Sequence, residues 1–84
     1  MSNSKVVVVT GVSSGIGRAT AIKFAEKGCR VFGTVRNIET AQPINGVELV
    51  ELDVRDETAV QKGIQTIITR ANCIDILVNS AGVT

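Results

Sequence analysis

The 84-residue sequence contains no histidine, tyrosine or tryptophan, and it has only two cysteines and one proline. The cysteines, Cys29 and Cys73, lie far apart in the chain and form no Cys-x-x-Cys pair. Because histidines and closely spaced cysteines are the usual ligands of transition metals, this composition argues against a metal site. We therefore interpret both cysteines as small, buried apolar residues.

An excess of one charge and long apolar runs are also missing. Nine basic and eight acidic residues give a net charge of +1 and form no runs, so we expect neither nucleic acid nor a membrane surface as a partner. The N-terminus lacks a signal region, and no apolar stretch approaches the ~18 residues needed to span a bilayer. A hydrophobic fraction of 44% suits a packed core, and we expect one small cytoplasmic domain or a piece of a larger one.

The chain is organised around a short strand and the glycine-rich turn that follows it. Val6 to Val9 are β-branched and uninterrupted, a pattern typical of a parallel strand that is buried on both faces. The turn from Thr10 to Gly17 leads into an alanine-rich helix over 18–27. Such a turn brings unpaired backbone N–H groups and the positive end of a helix dipole together, which favours binding of a phosphate or pyrophosphate.

The three glycines of this turn have separate expected roles. Gly11 allows an unusual φ, Gly15 lets a pyrophosphate approach the backbone, and Gly17 lets the helix pack closely on the strands. The spacing Gly-x-x-x-Gly-x-Gly lacks the Gly-Lys-Ser/Thr ending of a P-loop, which argues against a nucleoside triphosphatase. A glycine-rich turn without any ligand stays the alternative at this point.

The remaining hydrophobic pattern predicts three further strands, over 30–35, 47–52 and 74–78. A second helix is expected to begin after its N-cap Asp56 and to end near Arg70. The segment between the second and third strands allows one helical turn at most. Right-handed crossovers arrange such strands in the order 3-2-1-4. The predicted fold class is α/β, a partial Rossmann-type doubly wound parallel sheet with its switch point beside the glycine turn.

Three motifs resemble those of the short-chain dehydrogenase/reductase family, from about Lys5 to the end of the chain. In chain order they are Thr-Gly-x-x-x-Gly-Ile-Gly at Thr10 to Gly17, Asp-Val at Asp53 and Val54, and Asn-Asn-Ala-Gly at Asn79, Ala81 and Gly82. The last motif departs from the family pattern at Ser80, which stands in place of the second asparagine. Their order, and their positions at the ends of predicted strands, make the three motifs a specific signal.

The resemblance implies a nicotinamide dinucleotide as cofactor. The glycine turn would hold the pyrophosphate, Asp53 and Val54 would receive the adenine, and Asn79 with Ala81 would line the ribose side. The residues implied at the cofactor in these motifs are Thr10, Gly11, Ser13, Ser14, Gly15, Ile16, Gly17, Asp53, Val54, Asn79, Ala81 and Gly82. A solvated turn aspartate is the alternative for Asp53.

The end of the second strand favours NADP(H) over NAD(H). Enzymes that prefer NAD place an acidic residue there for the ribose 2′-hydroxyl, whereas an arginine accommodates the 2′-phosphate of NADP. In this sequence Val35 occupies the acidic position and Arg36 follows it. A guanidinium can meet a phosphate with two charge-assisted hydrogen bonds, and Ser14 is a second candidate contact. An exposed charge at a strand end is the alternative for Arg36.

The catalytic residues of the family are a serine and a Tyr-x-x-x-Lys pair, downstream of the Asn-Ala-Gly strand. This sequence contains no tyrosine, so no catalytic residue is assigned within residues 1–84. The fourth strand would also be an exposed apolar sheet edge, which natural proteins avoid. We therefore expect the chain to be the N-terminal half of a dinucleotide-binding domain in a longer oxidoreductase. The complete enzyme would transfer hydride between its cofactor and a small carbonyl or alcohol substrate, and family members often form homo-oligomers.

Two other interpretations stay open. The chain could be a dinucleotide-binding or redox-sensing module without catalytic activity, or a remnant that binds no cofactor. A downstream Tyr-x-x-x-Lys motif would favour the enzyme, and a cofactor titration would distinguish the remnant from the other two.

Overall fold

Four consecutive valines form most of one of the two inner strands of a parallel sheet. The computed structural model describes residues 4–13 and 15–80. Their strands are β1 (Val6–Thr10), β2 (Arg30–Val35), β3 (Val47–Glu51) and β4 (Ile76–Asn79), and their helices are α1 (Gly15–Glu26) and α2 (Glu57–Ala71). Neighbouring strands pair in parallel in the order β3-β2-β1-β4. This order confirms the predicted α/β fold with a partial, Rossmann-like sheet.

The strand β1 is buried on both faces, as its unbroken valines predict. On one face Val7 belongs to a core that includes Ala21 of α1, and on the other face Val8 belongs to a core with Ile67 of α2. All of these side chains are fully buried. Removing a valine side chain from water contributes roughly 1.5–3 kcal/mol, so β1 anchors both layers of the domain.

The helix α1 begins at Gly15, three residues before the predicted start, because the glycine turn closes within four residues of β1. Its C-terminal stop is Gly28, which has a left-handed φ of 87°. The strand β4 begins two residues later than predicted, at Ile76. Asp75 precedes it, and its N–H donates to the Val6 carbonyl at 2.9 Å, next to the first strand pair, Val7 with Ile76. This bond brings the chain into register with β1.

The helix α2 begins where the sequence predicts. The side chain of Asp56 accepts hydrogen bonds from the N–H groups of Thr58 and Ala59, at 3.0 and 3.3 Å. Gly63 lies on the buried side of α2, where a Cβ would come within 2.5 Å of Leu52 Cδ1. Of the helices in the described part of the chain, neither has the length and apolar character needed to cross a membrane.

The prediction that both cysteines are buried is wrong. Cys73 is exposed, because it lies in the loop between the α2 C-cap Asn72 and β4, and loops run over the protein surface. Its Sγ lies 3.9 Å from an oxygen of Asp75. Cys29 is half-buried and packs at the margin of the core on the α1 side of the sheet.

Candidate functional site

A cleft of about 1370 Å³ opens at the carboxyl edge of the sheet. It is bounded by the glycine turn with the start of α1, the end of β2 and its loop, the turn after β3, and the residue after β4. The described residues that line it are Gly11, Ser13, Gly15, Ile16, Gly17, Thr34, Val35, Arg36, Asn37, Thr40, Ala41, Gln42, Leu52, Asp53, Val54, Arg55 and Ser80. Ligands of open α/β sheets bind at this edge, where the strand order reverses.

The glycine turn is fastened to β2 by two hydrogen bonds. Gly11 has the left-handed φ expected for it, 71°, and its N–H donates to Thr34 Oγ1 at 3.0 Å. The next N–H, of Val12, donates to the Thr34 carbonyl at 3.0 Å. The Val12 side chain is fully buried against Gly33, where a Cβ would lie 2.6 Å from Val12 Cγ2. Gly33 therefore marks a close approach of the β2 backbone to the glycine turn.

Gly17 places the first turn of α1 directly against the ends of β1 and β4. A Cβ at this position would meet the carbonyl oxygen of Gly11 and would lie 2.7 Å from Ser80 Oγ. The close helix–strand packing predicted for Gly17 is thereby confirmed. No larger residue fits without displacing the helix from the cleft.

The N-terminus of α1 has the electrostatic character of an anion site. Gly15 lines the cleft with a φ of 66°, and a Cβ built on it meets no atom within 4 Å. The first turn of α1 contains no acidic residue, whereas that of α2 carries Glu57 behind the cap Asp56. No carboxylate in its own first turn therefore offsets the positive end of the α1 dipole, which favours an anionic group beside Gly15.

The junction between β1 and β4 is held by a hydrogen-bond network. The hydroxyl of Thr10 donates to Asn79 Oδ1 at 2.9 Å and accepts from the Ser80 N–H at 3.0 Å. The Ser80 hydroxyl in turn donates to the Thr10 carbonyl. Ser80 lines the cleft, whereas the predicted site residues Thr10, which is buried, and Asn79, which is exposed, are not among the residues that line it. Ser80, the departure from the family motif, thus bonds to β1 through both its backbone and its side chain.

The turn after β3 carries an ion pair at the cleft. Arg55 donates to Asp53 through Nε at 3.1 Å and Nη2 at 3.0 Å, and its backbone N–H donates to Asp53 Oδ1 at 3.0 Å. These hydrogen bonds, with a smaller effect from the charges of Arg55 and Arg36, lower the pKa of Asp53 to about 2. Val54 lies between the two charged residues and is 43% exposed, which leaves an apolar surface beside the carboxylate.

Arg36 is exposed at the end of β2 and lines the cleft. The ion pairs found among residues 4–13 and 15–80 join Arg30 to Glu48 and Arg55 to Asp53, so Arg36 takes part in neither. Val35, at the position where an acidic residue would favour NAD, is 4% exposed and packs in the core on the α1 side. The cleft therefore has a free guanidinium at the end of β2 and no carboxylate at Val35.

The structure brings most of the predicted site residues together around the cleft. Ser14, Ala81 and Gly82 lie outside the described residues, so their roles stay predictions. Thr34 and Arg55 line the cleft without having been predicted from the sequence. The signal for Thr34 is a hydroxyl just before the last residue of a buried strand. The signal for Arg55 is a cation two residues after Asp53, close enough for a turn to pair them.

The parallel sheet, its strand order and the glycine turn between β1 and α1 define an α/β protein of the Rossmann-like class. The profile of the family described as short chain dehydrogenase matches residues 5–84. The chain therefore belongs to the short-chain dehydrogenase family, whose members are oxidoreductases that use NAD or NADP.

Individual relatives agree with this family. The chain is 40% identical to the 3-oxoacyl-acyl-carrier-protein reductase FabG of Escherichia coli, an alignment that covers 95% of this chain and 35% of the reductase. It is 41% identical to the NADPH-dependent 3-dehydrocapnine reductase of Ornithobacterium rhinotracheale, over 94% of this chain and 30% of that protein. A crystal structure of a short chain dehydrogenase from Bacillus anthracis superposes with a TM-score of 0.75 at 38% identity, over 89% of this chain and 33% of that one. The chain spans about a third of the length of the relatives it matches.

Proposed function

We propose that this chain is the NADP(H)-binding portion of a short-chain oxidoreductase that interconverts carbonyl and alcohol substrates. The observation that carries the proposal is the pairing of two anion-favouring features in one cleft. These are the α1 N-terminus at Gly15, with no acidic residue in its first turn, and the guanidinium of Arg36, which has no ion-pair partner among the described residues. NADP carries a pyrophosphate and a 2′-phosphate, so its two anionic groups match these two features.

The residues of the cleft fit the parts of such a cofactor. Backbone N–H groups at the start of α1, from Gly15 to Gly17, would hold the pyrophosphate. Arg36 would hold the 2′-phosphate, and Asp53 with the exposed Val54 would receive the adenine. When bound, the nicotinamide accepts or donates the hydride. Residues 1–84 contain no tyrosine, so we place the proton-transferring groups of the complete enzyme outside them.

The names of relatives support the substrate class and the cofactor. The name of one relative, a 3-oxoacyl reductase, describes reduction of an oxo group. The name of another, an NADPH-dependent reductase, describes use of NADPH. The buried Val35 supports the same cofactor, because no carboxylate stands there to repel a 2′-phosphate or to bind the 2′-hydroxyl of NAD.

The test is a titration of the purified protein with NADPH and with NADH, followed by cofactor fluorescence. We expect tighter binding of NADPH, and we expect Arg36→Asp to weaken NADPH binding roughly 10- to 100-fold or more, because a charged hydrogen bond is lost and a repulsive charge is added. NADH binding should change little.

The matched control is Lys62→Asp, the same change of charge at an exposed site on α2 outside the cleft. It should leave both affinities unchanged. Equal binding of NADPH and NADH by the parent protein would refute the NADP preference, and no binding of either would refute the site. A Tyr-x-x-x-Lys motif downstream of residue 84 in the same gene would favour an enzyme over a non-catalytic binding module, since residues 1–84 contain no tyrosine.

A further inference from the structure

We propose that Arg55 is a positioning residue for base recognition, which fixes the Asp53 carboxylate so that it accepts from the amino group of adenine and discriminates against an oxo-purine. This inference rests on the proposed dinucleotide site and deepens it, because it names the residue that sets specificity for the base. Arg55 itself need not touch the ligand.

The carboxylate of Asp53 is held by three hydrogen bonds, and all three come from Arg55. The guanidinium reaches both oxygens, Nε to Oδ1 at 3.1 Å and Nη2 to Oδ2 at 3.0 Å, and the backbone N–H reaches Oδ1 at 3.0 Å. The turn itself is closed by the Asp56 N–H, which donates to the Asp53 carbonyl at 2.9 Å. A planar fork on a planar carboxylate fixes a torsion that is otherwise broad.

The Asp53 carboxylate keeps one hydrogen-bond acceptor position for a ligand. Each carboxylate oxygen has two lone pairs, and Oδ1 already accepts two hydrogen bonds from Arg55 while Oδ2 accepts one. One acceptor position therefore stays free, on Oδ2, and the Asp53 side chain is 31% exposed at the cleft. An N–H donor such as the adenine amine can use this position, whereas the carbonyl of hypoxanthine would meet it with a second acceptor.

The two arginines of the cleft consequently have different roles. Arg55 is paired with Asp53, so together they present a neutral, oriented acceptor, and their hydrogen bonds lower the pKa of Asp53 and raise the pKa of Arg55. Arg36 has no such partner among the described residues and presents its charge. Arg36 should therefore set the preference for the 2′-phosphate, and Arg55 the preference for the purine.

The experiment measures the affinities of the purified protein for NADPH, NADH and the hypoxanthine analogue of NADPH. We expect the parent protein to prefer NADPH over the hypoxanthine analogue by roughly tenfold or more, the effect of one hydrogen bond to a charged group. Arg55→Ala should lower this purine preference at least threefold and leave the NADPH/NADH ratio unchanged.

Arg36→Ala is the matched control, and it should do the reverse. Arg55→Lys should behave like Arg55→Ala, because an ammonium restores the charge but cannot bind both carboxylate oxygens as a fork. Arg55 is 71% exposed, so we expect both variants to fold, and circular dichroism checks this.

Each outcome decides a different point. If both Arg55 variants kept the full preference for NADPH over its hypoxanthine analogue, the inference would be overturned. It would also be overturned if the variants lost affinity equally for these two dinucleotides, because that result indicates a structural role alone. A parent protein that binds NADPH without any purine preference would overturn the inference and leave the proposed function intact. Absence of dinucleotide binding in the parent protein would overturn both.

Discussion

Two glycines with the same backbone conformation differ in whether they face the cleft. Gly15 is the first residue of α1 and Gly28 lies two residues after its end; they have φ values of 66° and 87° and leave open space where a Cβ would be. Gly15 lines the cleft and Gly28 does not. The pair therefore separates the conformational role of a glycine from its role beside a ligand.

We expect Gly15→Ala and Gly28→Ala to lower the free energy of unfolding by similar amounts, about 1–2 kcal/mol, because alanine resists a left-handed φ. Only Gly15→Ala should also weaken NADPH binding, since its methyl group would occupy the surface that the pyrophosphate approaches. Urea unfolding and fluorescence titration measure the two effects. An equal loss of affinity in both variants would contradict a phosphate site at Gly15.

At the scale of elements, the cleft depends on how β2 holds the glycine turn. Thr34 is 1% exposed, and its Oγ1 accepts from the Gly11 N–H while its carbonyl accepts from the Val12 N–H. Thr34, the residue before the end of β2, thus fixes the glycine turn that follows β1. Because this turn leads directly into α1, the two hydrogen bonds also fix where the N-terminus of α1 lies.

Thr34→Val keeps the shape of the side chain and removes the acceptor. We expect the free energy of unfolding to fall by about 1–3 kcal/mol, because the Gly11 N–H loses its partner, and NADPH affinity to fall with it as the turn loosens. Thr66→Val is the control, since that hydroxyl donates to the Lys62 carbonyl within α2, away from the cleft. A Thr34→Val variant with unchanged stability and affinity would show that the turn holds its shape without this bond.

Element boundaries show where sequence patterns succeed and where they do not. The unbroken valines of β1 and the cap at Asp56 predict their elements correctly, because hydrophobic periodicity and capping are local signals. The local pattern places the start of β4 two residues early, because the strand begins where Ile76 pairs with Val7, and these residues lie far apart in the sequence.

The candidate site likewise has residues that the sequence predicts and contacts that it does not. The glycine turn and the Asp-Val pair are contiguous motifs and could be predicted from the sequence. The contact of Thr34 with Gly11 spans 23 positions and depends on the strand register, which no local pattern contains. The exposure of Cys73 follows from its place in the loop after the α2 C-cap Asn72, whereas the residue type alone favours a buried, apolar cysteine.

At the scale of the whole molecule, the sheet buries its two helices on opposite faces and leaves β4 at an edge. Leu77 on this edge strand is 59% exposed. An exposed apolar edge strand is usually covered in native proteins. It accords with a chain that spans about a third of the length of its relatives.

The walls of the cleft come from the ends of all four strands, from Gly11 to Ser80 in the sequence. The binding surface therefore exists only when the whole sheet is assembled, and ligand binding and folding are thermodynamically linked. NADPH at a hundred times its dissociation constant should stabilise the native state by about 2.7 kcal/mol and raise Tm in a concentration-dependent way, which differential scanning calorimetry measures. A Tm that does not respond to NADPH would contradict this coupling. The cofactor would thus act as a cross-link between distant parts of the chain, formed without a covalent bond and lost on dilution.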